Sequence, residues 1–154
     1  MPSSNIFPQH PVFRPFPRII LVPNPGAGNE ILYACPANYR LEILGIHFIL
    51  TTSVAVANRN VDLIIGTGAV DLLRFDFNIL HPASLPYGYH LVPGQIQGIF
   101  TIGLDRWCPA PPLILLTTGM AIQTNTLNIQ AADAFTFIYI YAFAFPDLVN
   151  MAPA

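Results

Sequence analysis

Residues 134–145 read AFTFIYIYAFAF. Aromatic side chains take the odd positions: Phe135, Phe137, Tyr139, Tyr141, Phe143 and Phe145. Smaller or β-branched residues take the even ones: Ala134, Thr136, Ile138, Ile140, Ala142 and Ala144. A period of two puts these sets on opposite faces of a β-strand. A strand in a half-solvated antiparallel sheet alternates apolar with polar residues. This one is apolar on both faces, so it needs two covers. One is a facing sheet. The other is an N-terminal arm or a neighbouring subunit. Alternation alone leaves open whether the aromatic face or the small face is the core.

The rest of the chain repeats the strand signal. Runs at 18–22, 30–34, 39–51, 58–66, 70–77, 87–92, 96–102, 112–117 and 120–125 are separated by Gly and Pro breaks, among them Gly66, Gly68, Pro93-Gly94, Pro109 to Pro112 and Gly119. No useful length has a helical period, although 127–133 has room for one helical turn. Within 39–51 the apolar positions change parity, from Leu41 and Ile43 to Leu44, Ile46, Phe48 and Leu50. One extra residue reverses the facing of all that follow, which predicts a bulge or bend near Gly45. With 154 residues, the chain suits one all-β domain: an antiparallel two-sheet sandwich of jelly-roll type over residues 30–154, preceded by an extended Pro-rich arm over residues 1–29.

That arm carries Pro2, Pro8, Pro11, Pro15, Pro17, Pro23 and Pro25, which favour extended polyproline-like backbone. It also carries Phe7, Phe13, Phe16, Arg14 and Arg18. A solvated linker would be hydrophilic. Aromatic anchors on extended chain fit an arm that lies on another surface, with folding back over its own sandwich as the alternative.

Charged residues are only 9% of the chain, against about 25% in typical soluble domains. Net charge is -2 and mean hydropathy +0.53. No uninterrupted run of about 20 apolar residues offers a membrane helix, and the strands are apolar on both sides rather than apolar-out, polar-in like an outer-membrane barrel. No membrane partner is expected, and large buried interfaces are. The six basic residues are all arginine and are scattered, so no nucleic-acid footprint arises. The N-terminus lacks a basic region followed by an apolar stretch, so no signal peptide is expected. Cys35 and Cys108 are read as buried thiols, although one disulfide is possible.

Catalytic motifs are missing from the sequence. NPGAGNE at 24–30 lacks the Lys and Ser/Thr of a phosphate-binding loop. The cysteines show no paired zinc-ligand spacing. His81 and His90 flank the loop PASLPYGY at 82–89, where a site with Asp76, or sugar stacking by Tyr87, Tyr89 and His90, is conceivable. Trp107 is a further exposed-aromatic candidate, and His47 reads as a satisfied sandwich residue. Asp71 and Asp76 are spaced for opposite strand faces, a poor catalytic pair. Neither cofactor nor metal is expected, and no enzymatic activity. Arg59 shares its parity with Val61, Leu63 and Ile65, so it sits on an apolar face and needs a carboxylate or several carbonyls. Asp133, at the start of the last strand, is the candidate for a structural pair.

Two stretches, LTTSVAVANRNVDLIIGTG at 50–68 and LILLTTGMAIQTNTLNIQAADAFTFIYIYAF at 113–143, resemble the small β-sandwich virion proteins of tailed bacteriophages, of the head decoration or cement class. The resemblance covers roughly 40–145. It implies a non-enzymatic structural role on the capsid surface, with the virion assembled in the host cytoplasm. It also implies homotrimers seated over contacts of the major capsid protein. The alternative is a receptor- or carbohydrate-binding module of a phage fibre.

Overall fold

The computed structural model describes residues 15–95 and 100–146. Eleven strands form two sheets: β1 (Phe16–Val22), β2 (Leu32–Ala34), β3 (Tyr39–Thr51), β4 (Asn60–Gly66), β5 (Asp71–Asp76), β6 (Pro86–Pro93), β7 (Phe100–Ile102), β8 (Asp105–Ala110), β9 (Leu115–Leu116), β10 (Ala121–Leu127) and β11 (Ala134–Pro146). The large sheet runs β1-β11-β3-β6-β8-β7, with β9 also on β3; the small sheet runs β2-β10-β4-β5. The two pack face to face as an all-β sandwich.

Pairing is antiparallel throughout except for β6 with β8, which run parallel. This corrects the purely antiparallel expectation, and β8 itself was not foreseen. It falls between the expected runs 96–102 and 112–117, and its last two residues lie in the expected Pro109 to Pro112 break. Ala110 turns its carbonyl towards Gly94 on the β6 side, so position 109 faces away from β6. A proline is tolerated where no ladder bond is needed. The stretch 127–133 is a turn and not a helix.

The expected arm is divided. Residues 1–14, with Phe7, Phe13 and Arg14, lie outside the described residues. Phe16–Val22 pair with Ile138–Ala144 as an edge strand of the large sheet, so the boundary at residue 29 is too late. Pro17 fits here because an edge strand has one side without ladder bonds.

The two longest strands, β3 and β11, pair along 13 residues each and are broken by two bulges. In the first, Thr136 faces Ile49 but Tyr139 faces His47, leaving one extra residue on β11. In the second, Tyr141 faces Gly45 but Ala142 faces Ile43, leaving Leu44 extra on β3. The second lies where the parity change in the sequence placed it. Each bulge reverses facing, and together they restore register. Phe135 therefore points into the core, and after the first bulge Ile138, Ile140, Ala142 and Ala144 do. Phe137 sits at the bulge with φ of 49° and is 59% exposed.

The small-residue face of β11 is thus the core face. Its alanines let the sheets approach, and bulk comes from elsewhere: Phe48, Phe77, Tyr89 and Phe135 meet with ring centroids 4.9–6.2 Å apart. Both cysteines are free and buried, and burial raises both thiols, Cys108 to about 11.

The inner–outer assignment is testable. Phe48→Ala should cost about 3–5 kcal/mol, the usual range for a buried phenylalanine. Phe137→Ala should cost under about 1 kcal/mol. Urea unfolding of both variants measures the contrast, and equal losses would place the core on the other face.

Candidate functional site

The outer faces of the two sheets differ. On the small sheet, Asn60, Asp62, Arg74, Asp76, Gln123 and Asn125 stand among the outward positions. Arg74 donates to Asp62 at 2.7 and 2.9 Å, and Asp71 and Asp76 are both exposed. Leu32, Leu72 and Leu127 are exposed among these positions, but polar side chains predominate on this face.

The outer face of the large sheet is apolar and aromatic. Register places Leu21 opposite Tyr139, Tyr139 opposite His47, His47 opposite His90, and His90 opposite Trp107. One row of side chains therefore crosses five strands. The rings lean face to face across it: His90 on Trp107 with centroids 4.1 Å apart and 8° between planes, His47 on His90 at 4.5 Å and 34°, His47 on Tyr139 at 6.1 Å and 16°. A second row sets Ile19 opposite Tyr141 and Tyr141 opposite Gly45. Ile19 is 69% and Leu21 67% exposed, and the bulges add Phe137 and Leu44 to the same face. Phe143 and Phe145 also point outward, half-buried, and the Arg40 guanidinium lies 4.9 Å from the Phe145 ring.

His47 and His90 meet nitrogen to nitrogen, Nδ1 to Nδ1 at 3.2 Å. One ring donates and the other accepts. Burial, then the neighbouring His90, lowers the His47 pKa, with Asp105 opposing. The other nitrogen of His90 faces Asp105 Oδ1 at 3.4 Å. A Cβ at Gly88 would overlap that carboxylate, so glycine is required there for Asp105 to reach His90. Nothing in the sequence spacing announces this cluster. Its members come from separate strands, and only register unites them.

Tyr87 and Tyr89 share the loop-proximal strand with His90 but point inward and are buried. The stacking set of Tyr87, Tyr89 and His90 is therefore corrected: two of the three are core residues. His81 is also buried, its Nε2 donating to Leu85 O at 2.7 Å and its Nδ1 accepting from Tyr89 Oη at 3.1 Å. Asp76 instead accepts from Asn60 and from the Asn78 backbone, so a His81–Asp76 site is not assembled. Among the described residues no group of three or more His, Cys, Asp or Glu is placed to hold a metal.

Arg59 and Asp133 do meet. Arg59 Nε and Nη2 donate to the two carboxylate oxygens, each at 2.9 Å, and both side chains are fully buried. The remaining Arg59 donors go to Ala55 O, Ala57 O and Ser53 Oγ at 2.7–3.0 Å. Asp133 also accepts the Ser53 and Gln130 backbone N–H groups. The pair staples the 53–59 loop to the turn before β11. Of the expected arm contacts, Phe16 packs at the margin of the core. Arg18 is exposed, with its guanidinium 4.8 Å from the Phe16 ring.

Comparison with protein-family models, with curated proteins and with solved structures finds no match.

Removing either partner of a buried ion pair strands the other charge, at about 3–5 kcal/mol. Arg59→Ala and Asp133→Ala should each lose that much in urea unfolding. The double variant should lose far less than the sum. Single changes that leave stability intact would exclude a structural role.

Acid should weaken the fold in two stages. Burial is the main cause holding His81 at about 4, below its ordinary 6.5. Between those values the unfolded chain takes a proton that the folded chain refuses. Stability therefore falls by up to about 3 kcal/mol as pH drops through this window. Burial pushes the Asp133 carboxyl up, but the bonds from Arg59, Ser53 and Gln130 outweigh it and hold it at about 2. Its contribution is present above the ordinary 3.8 and is lost as pH falls through about 2. Urea midpoints at pH 7, 5.5 and 4 should decline in the wild type and flatten in His81→Gln.

Proposed function

We propose that this chain is a non-enzymatic structural subunit of a multi-subunit assembly, as a decoration or cement protein of a phage capsid would be. It acts by burying the outer face of its large sheet against neighbouring protein. The observation that carries this reading is the contrast between the two outer faces. One mixes carboxylates, amides and an arginine with the exposed Leu32, Leu72 and Leu127; the other presents Ile19, Leu21, Phe137, Tyr141 and Leu44 side by side to solvent. A contiguous apolar patch on a chain with so few charges marks a surface built to be covered. The strand order β1-β11-β3-β6 facing β2-β10-β4-β5 supports reading the sandwich as an eight-stranded jelly roll, with β7 to β9 added between its sixth and seventh strands.

Burial of apolar area supplies the attraction, at roughly 25 cal/mol per Å² before association costs. Repetition of weak contacts on a symmetric lattice multiplies it. The reading as a glycan-binding module of a fibre has less support. Tyr87 and Tyr89 are buried, and the faces of the His90 and Trp107 rings already lie against each other.

Ile19 and Tyr141 face each other directly on the exposed rows. Light scattering of the purified chain should give a trimer. The variant Ile19→Asp with Tyr141→Asp should run as a folded monomer. A wild type that stays monomeric at every concentration would remove the covering of this face by sister subunits.

A further inference from the structure

We propose that His47 and His90 form a binding site for a divalent transition-metal ion, Cu(II) or Zn(II), on the outer face of the large sheet. The two Nδ1 atoms are 3.2 Å apart. An ion 2.0–2.1 Å from each nitrogen would see them at an angle of about 100°, close to tetrahedral. The separation that serves as a hydrogen bond between imidazoles is therefore also the edge of a metal coordination sphere.

The surroundings fit the same ion. A groove of about 240 Å³ lies over the pair, lined by Leu44, Gly45, His47, His90, Trp107 and Tyr141 among others. It leaves room for water in the remaining positions. His90 Nε2 lies 3.4 Å from Asp105 Oδ1, within ion-pair reach but without hydrogen-bond geometry, and the nearby carboxylate favours the tautomer with the proton on Nε2 and the lone pair on Nδ1. A carboxylate behind a ligating imidazole fixes the tautomer and raises its basicity. Gly88 leaves the space that this carboxylate occupies. Stacking holds both rings in place, His90 against Trp107 and His47 against Tyr139. On metal binding, the proton shared by the two Nδ1 atoms leaves that position, and His47 carries its proton on Nε2 instead. Imidazole ligands suit copper and zinc, and copper binds the tighter of the two.

The test uses the full chain with each metal salt alone. Titration calorimetry with Zn(II) should show one site per chain, and electron paramagnetic resonance with Cu(II) should show two coupled imidazole nitrogens. The remaining histidines provide the controls. His81 is buried with both nitrogens engaged, and His10→Gln should leave binding unchanged. His47→Gln and His90→Gln should each weaken it at least about tenfold and reduce the copper signal to one nitrogen. Asp105→Asn, a change at a half-exposed side chain, should weaken binding about tenfold, and it decides the matter should either imidazole variant fail to fold. No saturable one-to-one binding, or binding that survives in both His47→Gln and His90→Gln, would overturn the proposal.

Discussion

The pairing of β3 with β11 is the constraint on which the rest depends. Each strand runs the length of the sandwich, and each carries one extra residue. A single bulge would turn half of one strand inside out. Two bulges, one on each strand, cancel in register while exposing one apolar side chain apiece, Phe137 and Leu44. They thus serve the inside and the outside together. Inward they deliver Phe135, Ile138, Ile140, Ala142 and Ala144 to the core; outward they align Tyr139 with His47 and Tyr141 with Gly45.

The buried ion pair at one end of the sandwich is fully satisfied. All five N–H donors of Arg59 are used, and both carboxylate oxygens of Asp133 accept more than one bond. Nearby, His81 holds Tyr89 and stacks on Tyr87, and the guanidinium of Arg106 lies 3.9 Å from the centre of the Tyr87 ring. Buried networks of this kind stabilise only when complete, because any orphaned donor or charge costs more than its bond contributes. The network closes the end of the sandwich where β3 leaves and β11 enters.

The outer rows explain why a chain with so few charges can carry histidines on an apolar face. A histidine opposite another histidine has its hydrogen-bond partner supplied by the sheet itself. Its ring contributes apolar area to the same surface as Tyr139 and Trp107. The proposed covering of this face and the proposed paired-imidazole site draw on the same surface.

The sequence by itself determined the local matters. Alternation marked β3, β4, β10 and β11 as strands, the parity change located the bulge near Gly45, and the apolar company of Arg59 required a carboxylate or several carbonyls. These follow from period and from desolvation, which act over a few residues. Tertiary structure decided what period cannot reach. Whether the aromatic or the alanine face of β11 turned inward depended on the volume that Phe48, Phe77 and Tyr89 bring from other strands. Strand β8 was hidden because a proline fits a strand only where its nitrogen turns away from the paired neighbour, and the register that decides this is not local. The His47–His90–Trp107 row was invisible because cross-strand register, set by bulges and turns far apart in sequence, is what puts those three rings side by side.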